Sequence, residues 1–411
     1  MLPLNEQMDL IRRGVEEIVP EEELEGRIAE SIRAKAPLRV KYGIDPTGKD
    51  VHVGHMVPVS KMRDFQDAGH QGVLIIGDYT AQIGDPTGRE ESRPSLTKEQ
   101  VLKNAETYID QLMKVLDRAK TEVRHQSGWF EGFTLVEAIR LGQKFTLAKM
   151  LEHETFARRL REGLPLAMHE LLYPMLMAYD SVAVRADVEL GGMEQRFNIL
   201  QGRDLQRASG QRPQIAVLMP MLPGIDGAAK MGKSLGNYIG VNDPPADMFG
   251  KIMSIADSLL VQYFVLAAGA PPEVVREVED KLAGRVLVDE KPVNPRDVKR
   301  QLGRLIVARY HGEEAAQQAD DEFMGVFSRR DQLPEDVPDL SVAAEKIPIV
   351  ELIVRGGLAP SRSEARRLIQ QGGVALDGEK ISDVNATIRP KDGAILRVGK
   401  RRFARLKVIG I

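Results

Sequence analysis

The chain has 411 residues, no cysteine, 43% hydrophobic and 28% charged residues, and a formal net charge of −3. That length supports two or three domains with ample core, and the lack of cysteine excludes disulfide scaffolds, thiol catalysis and cysteine-ligated zinc. No apolar run approaches the roughly 20 residues that span a bilayer, and the N-terminus shows no basic region followed by an apolar core. No membrane partner is therefore expected, and the cytoplasm is the expected location.

In chain order, "LRVKYG" (38–43), "VLIIGD" (73–78), "RADVEL" (185–190) and "QIAVLMPML" (214–222) read as buried strands. Between the first two, Met56, Val59, Met62 and Phe65 recur at helical spacing before Gly69 closes the segment. Strand–helix–strand alternation predicts an α/β fold built on a doubly wound, Rossmann-type parallel sheet. A mostly helical stretch from about 89 to 180 reads as an insertion between its halves. Residues 243–328 turn helical again, and the polar, proline-bearing stretch after them reads as a linker over 328–346.

The last segment, 347–411, reads as a small α+β module. Ser361 and Glu364 form a capping-box pattern opening a helix on which Arg362, Arg366 and Gln370 share one face. A hairpin turned at Asp377-Gly378 follows, then a basic strand pair. From Glu351 to Ile411 there are thirteen Lys/Arg against six Asp/Glu, so a net +7 tail follows a −10 body. Such a module suits an RNA phosphate backbone, with a dimerisation or capping role as the alternative.

Two motifs carry the chemistry. "GAAKMGKS" (227–234) satisfies the P-loop pattern. However, "PGID" separates it from the preceding strand, and "LGNYIGVNDPP" after it is a poor helix, so the context of a P-loop is missing. Read instead as a mobile loop, it offers Lys230 and Lys233 to a triphosphate, which requires a second phosphate site at a strand–helix junction. "YGIDPTGKDVHVGHM" supplies one: His52 and His55 sit at a helix mouth as donors, and Gly54 permits close approach of a nucleotide. His-x-x-His can also ligate a metal, but no third ligand is evident, so neither a metal site nor a prosthetic group is expected.

"HVGH" and "KMGKS" resemble the two signature motifs of class I aminoacyl-tRNA synthetases. "YGIDPTGKDVHVGHMVPVSKMRDFQDAGH", "LIIGDYTAQIGDPTGR", "YPMLMAYDSVAVRADVELGG" and "KMGKSLGNYIG" resemble the bacterial tyrosyl-tRNA synthetase family over nearly the whole chain. The resemblance implies activation of L-tyrosine by ATP, delivered with Mg2+, and transfer of the tyrosyl group to tRNA(Tyr). It also implies a homodimer paired through the insertion. The domains would be a catalytic domain at 1–222, a lysine loop with an anticodon-side helical domain at 223–327, and an RNA-binding domain at 347–411.

The site residues follow from the same resemblance. His52, His55, Lys230, Lys233 and Ser234 would be catalytic. Gly43, Asp45, Thr47, Gly54, Gly192, Glu194 and Lys233 would bind ATP. Lys41, Thr80, Asp85, Tyr173, Met177, Asp180 and Gln195 would bind tyrosine, with Asp180 accepting the phenol hydroxyl and Asp85 and Tyr173 holding the ammonium. Arg362, Arg366, Arg367, Lys400, Arg401 and Arg402 would bind RNA. Met177 stands where the family usually has glutamine, and "GGMEQ" departs from its usual G-G-T/S-D-Q at Met193 and Glu194.

Overall fold

A computed structural model describes residues 1–87, 96–288, 291–331, 337–377, 379–399 and 402–409, with the backbone alone at 234 and 326–331. Two compact units divide the chain, Met1–Asp320 and Asp321–Ile411.

The first unit is organised by a six-stranded sheet of β1 (Glu17–Val19), β2 (Arg39–Ile44), β3 (Gln71–Ile76), β4 (Thr121–His125), β5 (Val188–Gly192) and β6 (Ile215–Met219), in the order β1-β6-β5-β2-β3-β4. All neighbours are parallel except the β1–β6 pair. The central strands are covered on both faces, which explains their near-continuous apolar runs. Strand β2 lies between β3 and β5, so the winding reverses there and a crevice opens at the carboxyl ends of these strands. The helix Met56–Ala68 buries Met56, Val59, Met62 and Phe65 as its spacing predicts, and Gly69 ends it at φ +107°.

Two edge strands escape the sequence pattern. β1 has three residues, and β4 ("TEVRH") is polar and only partly covered, so neither carries the apolar run that marks a buried strand. The expected insertion at 89–180 is corrected accordingly: residues 121–125 belong to the sheet, and the inserted helices begin at Ser127. The helices after the lysine loop join the same unit as the sheet, where a separate domain was expected from 223. Tyr263 donates to the Pro223 carbonyl at 2.6 Å, and Arg309 donates to Ser60 Oγ at 2.8 Å. Among the described residues, no single helix is long and apolar enough to cross a membrane.

In the second unit the helices Ile349–Arg355 and Arg362–Gln370 pack Leu352, Ile353 and Ile369 against Leu396 and Leu406 of a five-stranded sheet. The strand Asp339–Ala343 pairs in parallel with Arg402–Ile409, so this part of the expected linker is structured. The Ser361 side chain accepts from the Glu364 N–H at 3.2 Å, but the Glu364 carboxylate turns to Arg367 at 2.6 Å, leaving half of the expected capping box.

Candidate functional site

One cavity of about 550 Å³ opens at the carboxyl ends of β2, β3, β5 and β6, where the crevice is expected. His52, Gly54 and His55 line one side of it, and Lys230, Met231, Gly232 and Lys233 another. The two imidazoles stack with centroids 3.6 Å apart. The His52 N–H donates to His55 Nδ1 at 3.4 Å, which leaves the proton of a neutral His55 ring on Nε2. His52 Nδ1 is buried with no partner within the described residues. Burial, then the nearby lysines, pushes His52 down to about 4; burial and His52 hold His55 well below the usual imidazole range. Both rings are neutral N–H donors at pH 7. A side chain at position 54 would come within about 3 Å of the His52 ring, so the close approach there requires glycine.

The lysine loop is tied to this turn through the backbone. Val53 donates to the Ile239 carbonyl and Val241 to the Val51 carbonyl, both at 2.9 Å. Asn237, 4% exposed, accepts from the Gly232 N–H at 2.8 Å and donates to the Lys230 carbonyl at 3.2 Å and to Asp226 at 2.8 Å. Lys233 donates to the Tyr108 hydroxyl at 3.4 Å, with its ammonium 5.6 Å from the ring centre. After a short turn at Lys233–Leu235 no helix follows until Pro245–Met253, which agrees with rejection of the P-loop reading. The side chain of Ser234 lies outside the described residues.

Gly43, Asp45, Thr47, Thr80, Asp85, Tyr173, Met177, Asp180, Gly192, Glu194 and Gln195 also line the cavity. Asp45 accepts from Thr80 Oγ1 at 2.6 Å and from the Tyr173 hydroxyl at 3.1 Å. Asp85 accepts from Gln195 Nε2 at 2.7 Å. Glu194 is exposed and folds its carboxylate back over Gly192. Met177 and Met193 pack against one buried cluster of Ile199, Ala216 and Leu218. Two of the three departures from the family pattern, Met177 and Met193, thus share a packing environment.

At the deep end, Asp180 accepts from Gln126 Nε2 at 2.7 Å and from the Trp129 indole at 3.1 Å. Burial pushes its carboxyl up to about 7, against the opposing pull of Lys41. Lys41 itself is fully buried and does not line the cavity. Its ammonium donates to Glu189 at 2.7 Å, to Ser181 Oγ at 2.8 Å and to the Met177 carbonyl at 3.2 Å. Lys41, expected among the tyrosine-binding residues, thus lies beneath the pocket with its charge met by Glu189. Gln126 and Tyr108 belong to no quoted motif, and Asn237 stands within KMGKSLGNYIG without a charge to mark it; the fold brings all three to the site.

In the second unit Arg362, Arg366, Arg367 and Arg402 are exposed, while Lys400 and Arg401 lie outside the described residues.

The family described as tRNA synthetases class I (W and Y) matches residues 33–328, and the tyrosine–tRNA ligase SYY-like C-terminal domain matches residues 330–406. The chain is 49% identical over 400 residues to the tyrosine–tRNA ligase of Moorella thermoacetica, covering 97% of this chain and 95% of that one. It is likewise 49% identical over 401 residues to that of Thermotoga maritima, covering 98% and 97%. In fold it is similar to the tyrosyl-tRNA synthetase of Archaeoglobus fulgidus in complex with L-tyrosine, with TM-score 0.60 and 22% identity over 78% of this chain and 100% of that one. A C-terminally truncated mitochondrial tyrosyl-tRNA synthetase of Aspergillus nidulans gives TM-score 0.64 and 18% identity over 79% and 94%.

Proposed function

The chain belongs to the tyrosine–tRNA ligase family of class I tRNA synthetases, and from that premise we propose how its cavity works. The protein activates L-tyrosine with ATP, supplied as its magnesium complex, and passes the tyrosyl group to the 3′ end of tRNA(Tyr). In the first step a tyrosine carboxylate oxygen bonds to the α-phosphorus while the bond to the β-phosphate oxygen breaks. Tyrosyl-adenylate and pyrophosphate result. In the second step a hydroxyl of the terminal ribose takes the acyl group and AMP leaves.

The observation that carries this reading is one cavity with phosphate donors at its mouth and a buried carboxylate at its floor. Lys230, Lys233 and Ser234 clamp the β- and γ-phosphates, and the His52 and His55 N–H groups meet the same charge from the helix side. Gly43, Asp45, Thr47, Gly54, Gly192 and Glu194 cradle the nucleotide. Asp85, Tyr173 and Gln195 hold the ammonium, with Thr80 bracing Asp45 and Met177 forming the wall. Asp180 accepts the phenol hydroxyl; a site built to bond a hydroxyl can reject the analogue lacking it by about 10⁴–10⁵.

Arg362, Arg366, Arg367, Lys400, Arg401 and Arg402 meet the tRNA backbone. The enzyme works as a cytoplasmic homodimer paired through the insertion, a reading supported by Leu135 and Met168, each 78% exposed, with Leu147 and Leu160 also exposed. ATP–pyrophosphate exchange with each of the twenty amino acids tests the assignment. Exchange with tyrosine alone is expected, and exchange with a different amino acid overturns it.

A further inference from the structure

We infer that the buried Lys41–Glu189 pair, which lies outside the cavity, is a positioning device that staples the Asp180 helix to the sheet and sets the charge of Asp180. The inference rests on Asp180 being the acceptor of the substrate phenol.

Lys41 stands on β2 and Glu189 on β5, and both are fully buried. The Lys41 ammonium reaches across to the helix Leu172–Ala183, where it meets the Met177 carbonyl and Ser181 Oγ. These two acceptors lie one turn apart and bracket Asp180. The Ser181 hydroxyl donates to the second oxygen of Glu189 at 3.0 Å, and Gln214 also donates to that oxygen. Gln214 is held in turn, its backbone N–H donating to Gln206 Oε1 at 2.6 Å. Every hydrogen of the ammonium has an acceptor, so its place is fixed by β5 and the helix at once.

Stability alone does not account for such a pair. A buried ion pair gains little over well-packed apolar residues of similar volume, because desolvation cancels much of the attraction. What an apolar pair cannot supply is a fixed field under Asp180. Among the described residues, two formal charges act on that carboxyl: Lys41 from β2 and Glu189 from β5. Its other neighbours are neutral donors, Gln126 and Trp129 from the segment after β4, and Tyr173 is on its own helix. Lys41 favours the ionised carboxylate and Glu189 opposes it, with Lys41 the stronger of the two. The ionised form is the one that accepts a phenol proton.

Opposite signs make this testable with the intact protein. The KM for tyrosine in ATP–pyrophosphate exchange is followed from pH 5.5 to 9 (an assay window of roughly the range in which a carboxyl near 7 titrates) for wild type, Lys41→Met, Glu189→Gln and the double variant. In wild type KM is expected to rise as pH falls below about 7. Lys41→Met is expected to move that midpoint up by about one pH unit, raising KM about fivefold at pH 7. Glu189→Gln is expected to move it down by less, about half a pH unit, lowering KM roughly two- to threefold at pH 6. The double variant restores thermal stability lost in the single ones but keeps its midpoint above wild type. Shifts of the two single variants in the same direction, or losses independent of pH, overturn the inference and leave a structural brace. Should a single variant fail to fold, a double variant with the wild-type midpoint overturns it alone. Asp180→Asn separates the premise from the inference: if it keeps the wild-type pH profile, Asp180 is not the titrating acceptor and the underlying reading fails instead.

Discussion

The Gln126 amide donates to the Asp180 carboxylate at 2.7 Å, and its orientation is fixed from the other side. Its Oε1 accepts from the Tyr79 and Thr80 N–H groups at 3.2 and 2.9 Å, while the Thr80 hydroxyl hydrogen goes to Asp45. A flipped amide would set its NH2 against two backbone donors, so the NH2 must face Asp180. Loss of a hydrogen bond to a charged group costs about 1.5–3 kcal/mol. Gln126→Leu is expected to lower kcat/KM for tyrosine roughly 10–100-fold while leaving phenylalanine nearly unchanged. Equal losses for both amino acids, measured by exchange, would reduce Gln126 to a structural support.

Asn237 plays the corresponding part at the opposite end of the cavity. It holds the backbone of the lysine loop at Lys230 and Gly232, so the loop presents its lysines from a fixed frame. Removing a lysine donor aimed at developing phosphate charge is expected to cost about 10²–10³ in kcat. Asn237→Ala leaves both lysines in place but frees the loop, and a smaller loss of roughly tenfold in kcat is expected, with KM for tyrosine unchanged. A rise in tyrosine KM without a change in kcat, measured at saturating ATP, would place the effect of Asn237 elsewhere.

The sequence showed the parts of this fold that carry a strong local signal, and missed those that depend on partners. β3 and β6 announce themselves because strands covered on both faces are largely apolar, and β2 and β5 do so despite the buried Lys41 and Glu189 within them. β4 does not, since an edge strand with polar residues looks like loop. The His and Lys motifs were legible because glycine spacing and charge are local properties. Gln126 carries no such mark; its importance comes from Asp180, 54 positions away. Lys41 shows the converse failure. The sequence does not show where its ammonium points, since the acceptor that takes it, Glu189, lies 148 residues further along.

The terminal module lends itself to a salt test. Arg362 and Arg366 lie on the exposed face of the helix Arg362–Gln370, whose other face buries Ala365 and Ile369. Neutralising both therefore leaves the core intact. If both meet phosphates, the double substitution Arg362→Gln/Arg366→Gln is expected to weaken tRNA binding. It should also reduce the slope of log K against log salt by about 1.5–2. Tyrosine-dependent pyrophosphate exchange, which involves no tRNA, stays at the wild-type level. An unchanged salt slope in a filter-binding titration would move the RNA surface to another face.

His70 makes a prediction about stability. It is 1% exposed and satisfied only as a neutral ring: Nδ1 accepts from the Leu38 N–H at 3.2 Å, and Nε2 faces Gln7 Oε1 at 2.8 Å as its donor. Protonating Nδ1 would set a donor against a donor. Burial, with a smaller push from the N-terminal amine, lowers the ring to about 4. The folded value thus lies below that of the unfolded chain, about 6.5. Between these values the unfolded chain holds a proton that the folded protein refuses, so stability rises with pH across this window. The contribution is complete above about 6.5 and is lost as pH falls toward 4. His70→Gln removes this proton while keeping one donor and one acceptor. On going from pH 7.5 to pH 5, wild type is expected to lose about 2 kcal/mol more than the variant. Urea unfolding followed by circular dichroism at the two pH values reads this difference directly, and parallel losses would mean that His70 is charged within the fold.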